Sequence, residues 1–524
     1  MNTKKTTSLG NAQPFSIASL KMSLFIFTAL WGSLLPWFAN HPPMLDLPQH
    51  AAQIGLWRDL MLGQSVWQDY FRINLFTPYL LGYGIALPLS FVIGISAALK
   101  LMLSTAYLAF VYLCVRLRER FNADPRLDWL FLLSFFGYAY KWGFFTFIVA
   151  APLGLLFILY ADAYSRGFTL RQTVKLLLTG IVLLASHGLV FIYAVAAGFG
   201  MHLLRNITWR QIDLRNIITS SWPFIALIAI CGMYFLFNQK FSADMPTNLN
   251  SAIKWDYGFI RIAKGILYSV APFSSARAML IPAAVVLVML AAPWLLGLRI
   301  NWRNPAALVP FGLAVLILCF VPNYAFSTGL LYQRFALFLL PAYAWIFLAA
   351  QPANTNARQD WRRFVVVLLI AATWAMLSLH TYRTLRFNEE SAGIDNIIAQ
   401  LEPKQRALIM IFDPNSEADG DFKVYAHYPA WYQAEKGGLV DFNFAWFPPQ
   451  VVRYRADRLP AVQPGFEWNV DKFSWAEHRG DDYRYFFIRH KTELPPTLFR
   501  GAQCAPELIL QESFWSIYER KACS

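Results

Sequence analysis

Long apolar runs separated by short clusters of Lys and Arg constrain this chain more than any other feature of its sequence. The run from Leu20 to Phe38 is long enough to cross a bilayer as a helix, and comparable runs recur as far as residue 380. Only 15% of the residues are charged and 57% are hydrophobic, whereas a soluble domain carries about 25% charged residues. The net charge of +14 does not point to nucleic acid. The cations sit between apolar runs, where they act as orientation signals. The reading is a mainly α, polytopic membrane bundle of about eleven spans with a small C-terminal α/β domain.

Charge sets the expected topology. After the N-terminal lysines (Lys4, Lys5, Lys21), cations cluster at Arg116–Arg126, Arg166–Lys175, Arg205–Arg215, Arg299–Arg303 and Arg358–Arg363. With all of these cytoplasmic, spans are expected near 20–38, 97–115, 128–140, 143–160, 174–186, 188–204, 219–237, 278–298, 306–322, 335–350 and 364–380. Residues 75–94 are apolar enough to span, but counting them inverts everything downstream. They are therefore expected to be re-entrant or interfacial, broken by Pro78, Gly82 and Pro88. Residues 128–140 and 174–186 are short and predict hairpins with tips at Lys141 and His187.

The expected divisions are a cytoplasmic tail (1–19), a membrane domain (20–380) with a first outer loop (39–74), and an outer α/β domain (381–524). No cleavable leader is read at the N-terminus. In the last division, Ala407–Phe412, Tyr483–Arg489 and Glu507–Glu519 predict strands, and Glu389–Leu401 is amphipathic. Cys114, Cys231 and Cys319 lie within apolar runs and read as ordinary buried residues. Cys504 and Cys523 lie in the last polar stretch, where a disulfide and two free thiols are equally open.

The stretch after the first run holds the residues most suited to chemistry. Asp46 and His50 sit just beyond its end, and Pro48 suits the first turn of a helix with Gln49, His50, Gln53 and Trp57 roughly on one side. A carboxylate held against a hydroxyl can act as a general base. Asp is equally a favoured N-cap that merely starts the helix. Arg334 lies in a loop of few charges, where its guanidinium can grip phosphate or snorkel at a helix end. Lys141 and Arg72 are weaker cationic candidates, and His187 in Ala-Ser-His-Gly faces either a substrate or nothing in particular.

A span, an acidic residue close to its outer end, an amphipathic helix and a re-entrant segment together resemble the GT-C superfamily. These are multi-span glycosyltransferases that use polyprenyl-phosphate-linked sugars. The string Asp46-Leu-Pro-Gln-His50 is similar to an Asp-x-Pro-x-His motif of uncharacterised bacterial members. Trp142-Gly143-Phe144-Phe145 and Tyr332-Gln333-Arg334-Phe335 are similar to further short motifs there. The architectural resemblance covers most of residues 20–350.

It implies that Asp46 deprotonates an acceptor hydroxyl, with His50 orienting it, contacting the acceptor or ligating a metal. It also implies that Arg334, with Lys141, Arg72 and His187 as further candidates, faces the donor phosphate. The acceptor would be an envelope lipid, glycan or protein. The setting would be a bacterial inner membrane, with the N-terminus cytoplasmic and the C-terminal domain periplasmic. The chain lacks the paired Asp-Asp or Asp-Glu of many members, so no metal ligands are assigned and a divalent metal stays open. Two other readings compete: a transporter or flippase for a lipid-linked saccharide, which would show internal repeats and polar residues at mid-membrane, and a non-catalytic scaffold.

Overall fold

The computed structural model describes residues 17–206, 214–241, 253–272, 275–325, 328–348 and 356–521. Lys4, Lys5, Arg210, Asp244 and Cys523 lie outside them, as does most of the expected tail 1–19. Cys504 is disulfide-bonded. The first elements are α1 (Ile17–Leu34), α2 (Leu47–Met61), β1 (Phe71–Ile73), α3 (Leu80–Ile93) and α4 (Ile95–Phe121). Next come α5 (Phe131–Ser134), α6 (Tyr138–Trp142), α7 (Phe145–Arg166), α8 (Leu170–Ser186), α9 (Gly188–Asn206), α10 (Leu214–Phe241) and α11 (Phe259–Leu267). The bundle is completed by α12 (Leu280–Leu295), β2 (Arg299–Ile300), α13 (Val309–Phe320), β3 (Tyr324–Ala325), β4 (Thr328–Gly329), α14 (Leu331–Arg334), α15 (Ala336–Trp345) and β5 (Phe347–Leu348).

Among the described residues, seven helices are long and apolar enough to cross a membrane. Large apolar side chains such as Ile26, Ile192, Leu236, Leu287 and Val367 stay exposed on their outer faces, as lipid contact requires and water does not. The bundle has two distinct ends. At one, Asp162 near the end of α7 accepts Arg120 from α4, Arg166 from its own helix and Arg205 from α9. There too β2 pairs with β5, and Ala123 bridges Leu348. Arg120, Arg166, Arg205 and Arg299, one from each of four expected basic clusters, therefore lie at this arginine end. At the other, the amides of Leu45 and Asp46 donate to the carbonyls of Lys141 and Trp142, just ahead of α7. α7 has 22 residues, about 33 Å of helix, enough to separate the two ends by a bilayer core.

Two segments differ from expectation. Residues 125–142 pass from the arginine end to the Asp46 end, but not as a continuous helix. They form a 3-10 turn (Pro125–Leu130), then α5 and α6. Every residue from 129 to 141 is buried, and the Tyr138 amide, freed at the break, donates to the Tyr268 carbonyl at 2.8 Å. Irregular backbone at that depth is tolerated only inside protein. In residues 75–94, Gly82 and Pro88 do not break the chain, since both lie within continuous α3. Both flanks of α3 are tied to the Asp46 end. The Thr77 hydroxyl donates to the Pro449 carbonyl, and the Ser96 hydroxyl donates to the Asn40 carbonyl at 2.8 Å. The predicted tip at His187 does join α8 to α9.

α16 (Asn356–Gln400) runs unbroken through the expected boundary at 380/381. No proline interrupts the amphipathic stretch before Pro403, so the helix simply continues into the C-terminal domain. That domain adds β6 (Arg406–Ile411), α17 (Ala430–Lys436), β7 (Leu439–Asp441), β8 (Val452–Tyr454), β9 (Tyr485–Arg489), β10 (Glu507–Glu512) and β11 (Trp515–Glu519). Its sheet has the order β10-β11-β9-β6-β7, with β6 parallel to both neighbours and a β10–β11 hairpin at one edge.

The C-terminal domain is docked on the first loop. β1 pairs antiparallel with β8, and α2 lies against α17. Gly55 permits that contact, because a Cβ there would sit 2.8 Å from the Ala434 carbonyl oxygen.

Candidate functional site

The site forms where four stretches of chain meet: the start of α2, the tip before α7, α14, and the loop before α17. Asp46 occupies the N-cap position of α2, but its side chain makes no capping bond. The helix-start explanation for this carboxylate is therefore set aside. Gly143, at φ +87°, places the tip against the loop backbone, and a Cβ there would meet the Asp46 and Leu47 nitrogens at 2.7 and 2.8 Å.

The Asp46 side chain turns inward, where Oδ1 accepts from His427 Nδ1 at 3.0 Å. Both residues are buried. Burial pushes the Asp46 carboxyl above its usual range, while His427, Arg334 and the Trp142 indole pull it back. A carboxylate so placed is a stronger proton acceptor than one in water.

Arg334 ends α14 with its guanidinium 3.7 Å over the Phe144 ring. Its hydrogen bonds go to the Gly329 and Leu330 carbonyls, and among the described residues no carboxylate lies within ion-pair distance. The field of Arg334 reaches Asp46, His50 and His187. This cation is therefore aimed at the site without being neutralised by it. Beside it, Ala314, Leu318, Tyr332, Phe335 and Leu339 line a small apolar hollow. The Tyr332 hydroxyl donates to Asp256 at 2.8 Å.

His50 is near Asp46 but does not orient it. Its Nδ1 lies 2.6 Å from the Tyr83 hydroxyl, which donates onward to Gln450. Burial, helped by Arg334 and His427, holds the imidazole down at about 3, so it is neutral at neutral pH. His187 stacks on Tyr79 with ring centres 5.0 Å apart, and its Nδ1 accepts from the Leu189 amide.

The other two cationic candidates have structural partners. Lys141 Nζ is 2.6 Å from Asp419 Oδ1, with both side chains buried. Its charge thus ties the tip to the C-terminal domain instead of facing a donor phosphate. Arg72 sits in β1 opposite Arg453 of β8, in the seam between loop and domain. Gln49 and Gln53, on the expected face of α2, bond the backbone of Phe442, Phe444 and Val452.

Sequence reasoning missed His427 and Glu467. Burial pushes the Glu467 carboxyl up, and this group feels both His427 and Asp46. His427 lies within an aromatic string, Tyr425 to Tyr432, and nothing local marks it as a partner of Asp46. Among the described residues, no group of three or more His, Cys, Asp or Glu side chains is placed to hold a metal ion. The residues around Asp46 do not make a metal cradle, and no step is derived through one.

No family model matches the chain, and no curated protein matches it. Solved structures do. A cryo-EM structure of the arabinofuranosyltransferase AftD from mycobacteria aligns with a TM-score of 0.49 and 12% identity, over 96% of this chain and 40% of that one. A mutant of the same protein aligns with a TM-score of 0.48 and 13% identity, over 95% and 41%. This chain thus spans well under half the length of the proteins it resembles. At that level of similarity, the chemistry has to be argued from this chain's own residues.

Proposed function

We propose that this protein is a GT-C-like glycosyltransferase that moves a sugar from a polyprenyl-phosphate-linked donor to a hydroxyl of a cell-envelope lipid, glycan or protein. One observation carries the reading: Asp46 is buried in bonding contact with His427, within the field of an Arg334 that has no carboxylate partner among the described residues. A base and an anion-binding cation at one membrane-adjacent site are what displacement of a lipid phosphate requires.

The acceptor hydroxyl loses its proton to the base containing Asp46 as its oxygen attacks the anomeric carbon. The bond from that carbon to the phosphate oxygen breaks, and the lipid phosphate leaves with the electron pair beside Arg334. Guanidinium suits that role because it can bind phosphate oxygens in pairs. In this reading His187, stacked on Tyr79, lines the donor side.

The site end faces the periplasm of a bacterial inner membrane, with the N-terminus cytoplasmic. Gathering of the Arg clusters at the far end supports this orientation, since cations are retained in the cytoplasm. In the same reading α3 is interfacial or re-entrant.

The test is Asp46→Asn in membranes supplied with a labelled polyprenyl-phosphate sugar. Transfer should fall steeply, by about 100- to 10,000-fold, while expression and melting in detergent are preserved, and full activity in the variant would remove the proposal. A reporter fused to the C-terminus should report the periplasm, and a cytoplasmic signal would reverse the orientation.

A further inference from the structure

We infer that the atom which takes the acceptor's proton is Nε2 of His427, supplied by the C-terminal domain, and that Asp46 positions this imidazole. The inference rests on the glycosyl-transfer reading and names the base within it. His427 Nδ1 lies 3.0 Å from Asp46 Oδ1. A carboxylate on Nδ1 holds the proton there and leaves the lone pair on Nε2.

That Nε2 is buried and has no hydrogen-bond partner among the described residues. Leaving a buried polar atom unsatisfied is costly, so it is accounted for when a ligand group bonds to it. Among the described residues, the buried and unpartnered histidine nitrogens belong to His187, His380 and His427. Of these three, only His427 has its other ring nitrogen on a carboxylate.

The surroundings favour a hydroxyl ligand. The rings of Phe442 and Phe444 pack at 6.1 and 5.9 Å from the imidazole. Trp468, 43% exposed, has its ring centre 6.2 Å from that of the imidazole, and Lys423 Nζ lies 5.4 Å from the centre of the same indole. The charged and titratable groups around His427 are Asp46 and Glu467, with Lys423 beyond Trp468 and Arg334 and His50 across the site.

In the step, the acceptor O–H gives its proton to Nε2. Its oxygen bonds the anomeric carbon, and the lipid phosphate departs with the electron pair of the broken C–O bond. The imidazolium formed is stabilised by Asp46 and returns its proton to water. No other reactant is needed.

The experiment compares wild type, His427→Gln, Asp46→Asn and the double variant in reconstituted vesicles holding a polyprenyl-phosphate sugar and an envelope lipid acceptor, across pH. His427→Gln should lower kcat about 100- to 10,000-fold with little change in donor KM. It should also abolish the acid limb of the wild-type pH profile, which Asp46→Asn should shift but keep. The double variant should be no slower than His427→Gln alone, because both residues serve one proton transfer.

Should His427→Gln lose stability, His427→Gly with added imidazole keeps the question open to an answer, since restored transfer marks a missing proton acceptor. His427→Gln within threefold of wild type, with the acid limb intact, overturns the inference and leaves Asp46 as the base. Absence of imidazole rescue in a folded glycine variant also counts against it. A wild type inert toward polyprenyl-phosphate donors overturns the proposed function, and this inference with it.

Discussion

Lys141 Nζ lies 2.6 Å from Asp419 Oδ1, and both side chains are buried. This pair joins the tip that carries Asp46's neighbours to the C-terminal domain that carries His427. Breaking one partner of a buried pair leaves a bare charge and costs about 3–5 kcal/mol. Lys141→Met and Asp419→Leu should each lower the melting temperature in detergent sharply. The double variant should recover much of the loss, since two apolar side chains replace both charges at once. Additive losses would show that the two residues are not coupled.

This pair also marks the limits of the sequence. Most span positions, the His187 tip and the strands β6 and β9 follow from local hydropathy and turn signals, whereas Glu507–Glu519, expected as a single strand candidate, folds back as the β10–β11 hairpin. Asp46 and Arg334 stand out because each is an ionisable group in an apolar context. Lys141 stands out for the same reason, yet its charge proves structural, because its partner arrives from residue 419. His427 is 381 residues from Asp46. That contact depends on α16 running on into the C-terminal domain and on α2 lying against α17, and no spacing rule encodes it. The break in residues 125–142 was hidden too. Its composition is that of a span, and only burial on all sides lets the backbone leave the helix.

His41 predicts a pH dependence for docking of the C-terminal domain. Its Nδ1 and Nε2 lie 3.0 and 2.8 Å from Asp395 on α16 and Glu435 on α17, and the ring stacks on Trp431. Burial works against the charged form, but hydrogen bonds to the two carboxylates outweigh it and raise the imidazole above 6.5. A raised folded-state value means the stabilisation is complete below about 6.5 and is lost as pH rises through the folded value. Melting temperature should therefore decline as pH rises above neutrality. His41→Gln should flatten that decline, and an unchanged slope would discard the linkage.

Gly143 predicts a separation of activity from folding. Its φ of +87° disfavours any other residue, and a new Cβ would press on the Asp46 and Leu47 nitrogens. Those atoms are backbone and cannot rotate away, so Gly143→Ala should displace the Asp46 loop at a cost of about 1–3 kcal/mol. Transfer should drop at least tenfold in protein that still reaches the membrane. Wild-type kinetics in this variant would mean the loop has slack that the contact distances do not suggest.

Arg334 offers the sharpest test of the anion-binding half of the site. The guanidinium is held by two backbone carbonyls and the Phe144 ring. Asp46 favours its charge across the site without bonding it. Two explanations compete, phosphate binding and anchoring at a helix end, and they diverge on substitution. A phosphate-binding arginine loses donor affinity in Arg334→Ala by one or more charge-assisted hydrogen bonds, about 1.5–3 kcal/mol or roughly 10- to 150-fold. Arg334→Lys should lie between the two, because an ammonium keeps the charge but not the paired geometry. An anchoring arginine tolerates lysine completely, and its alanine variant loses stability rather than affinity. Titration of both variants with a polyprenyl-phosphate sugar, alongside melting curves, separates these outcomes. Equal and small effects on affinity would assign Arg334 to anchoring, and the leaving phosphate would then lack its cation.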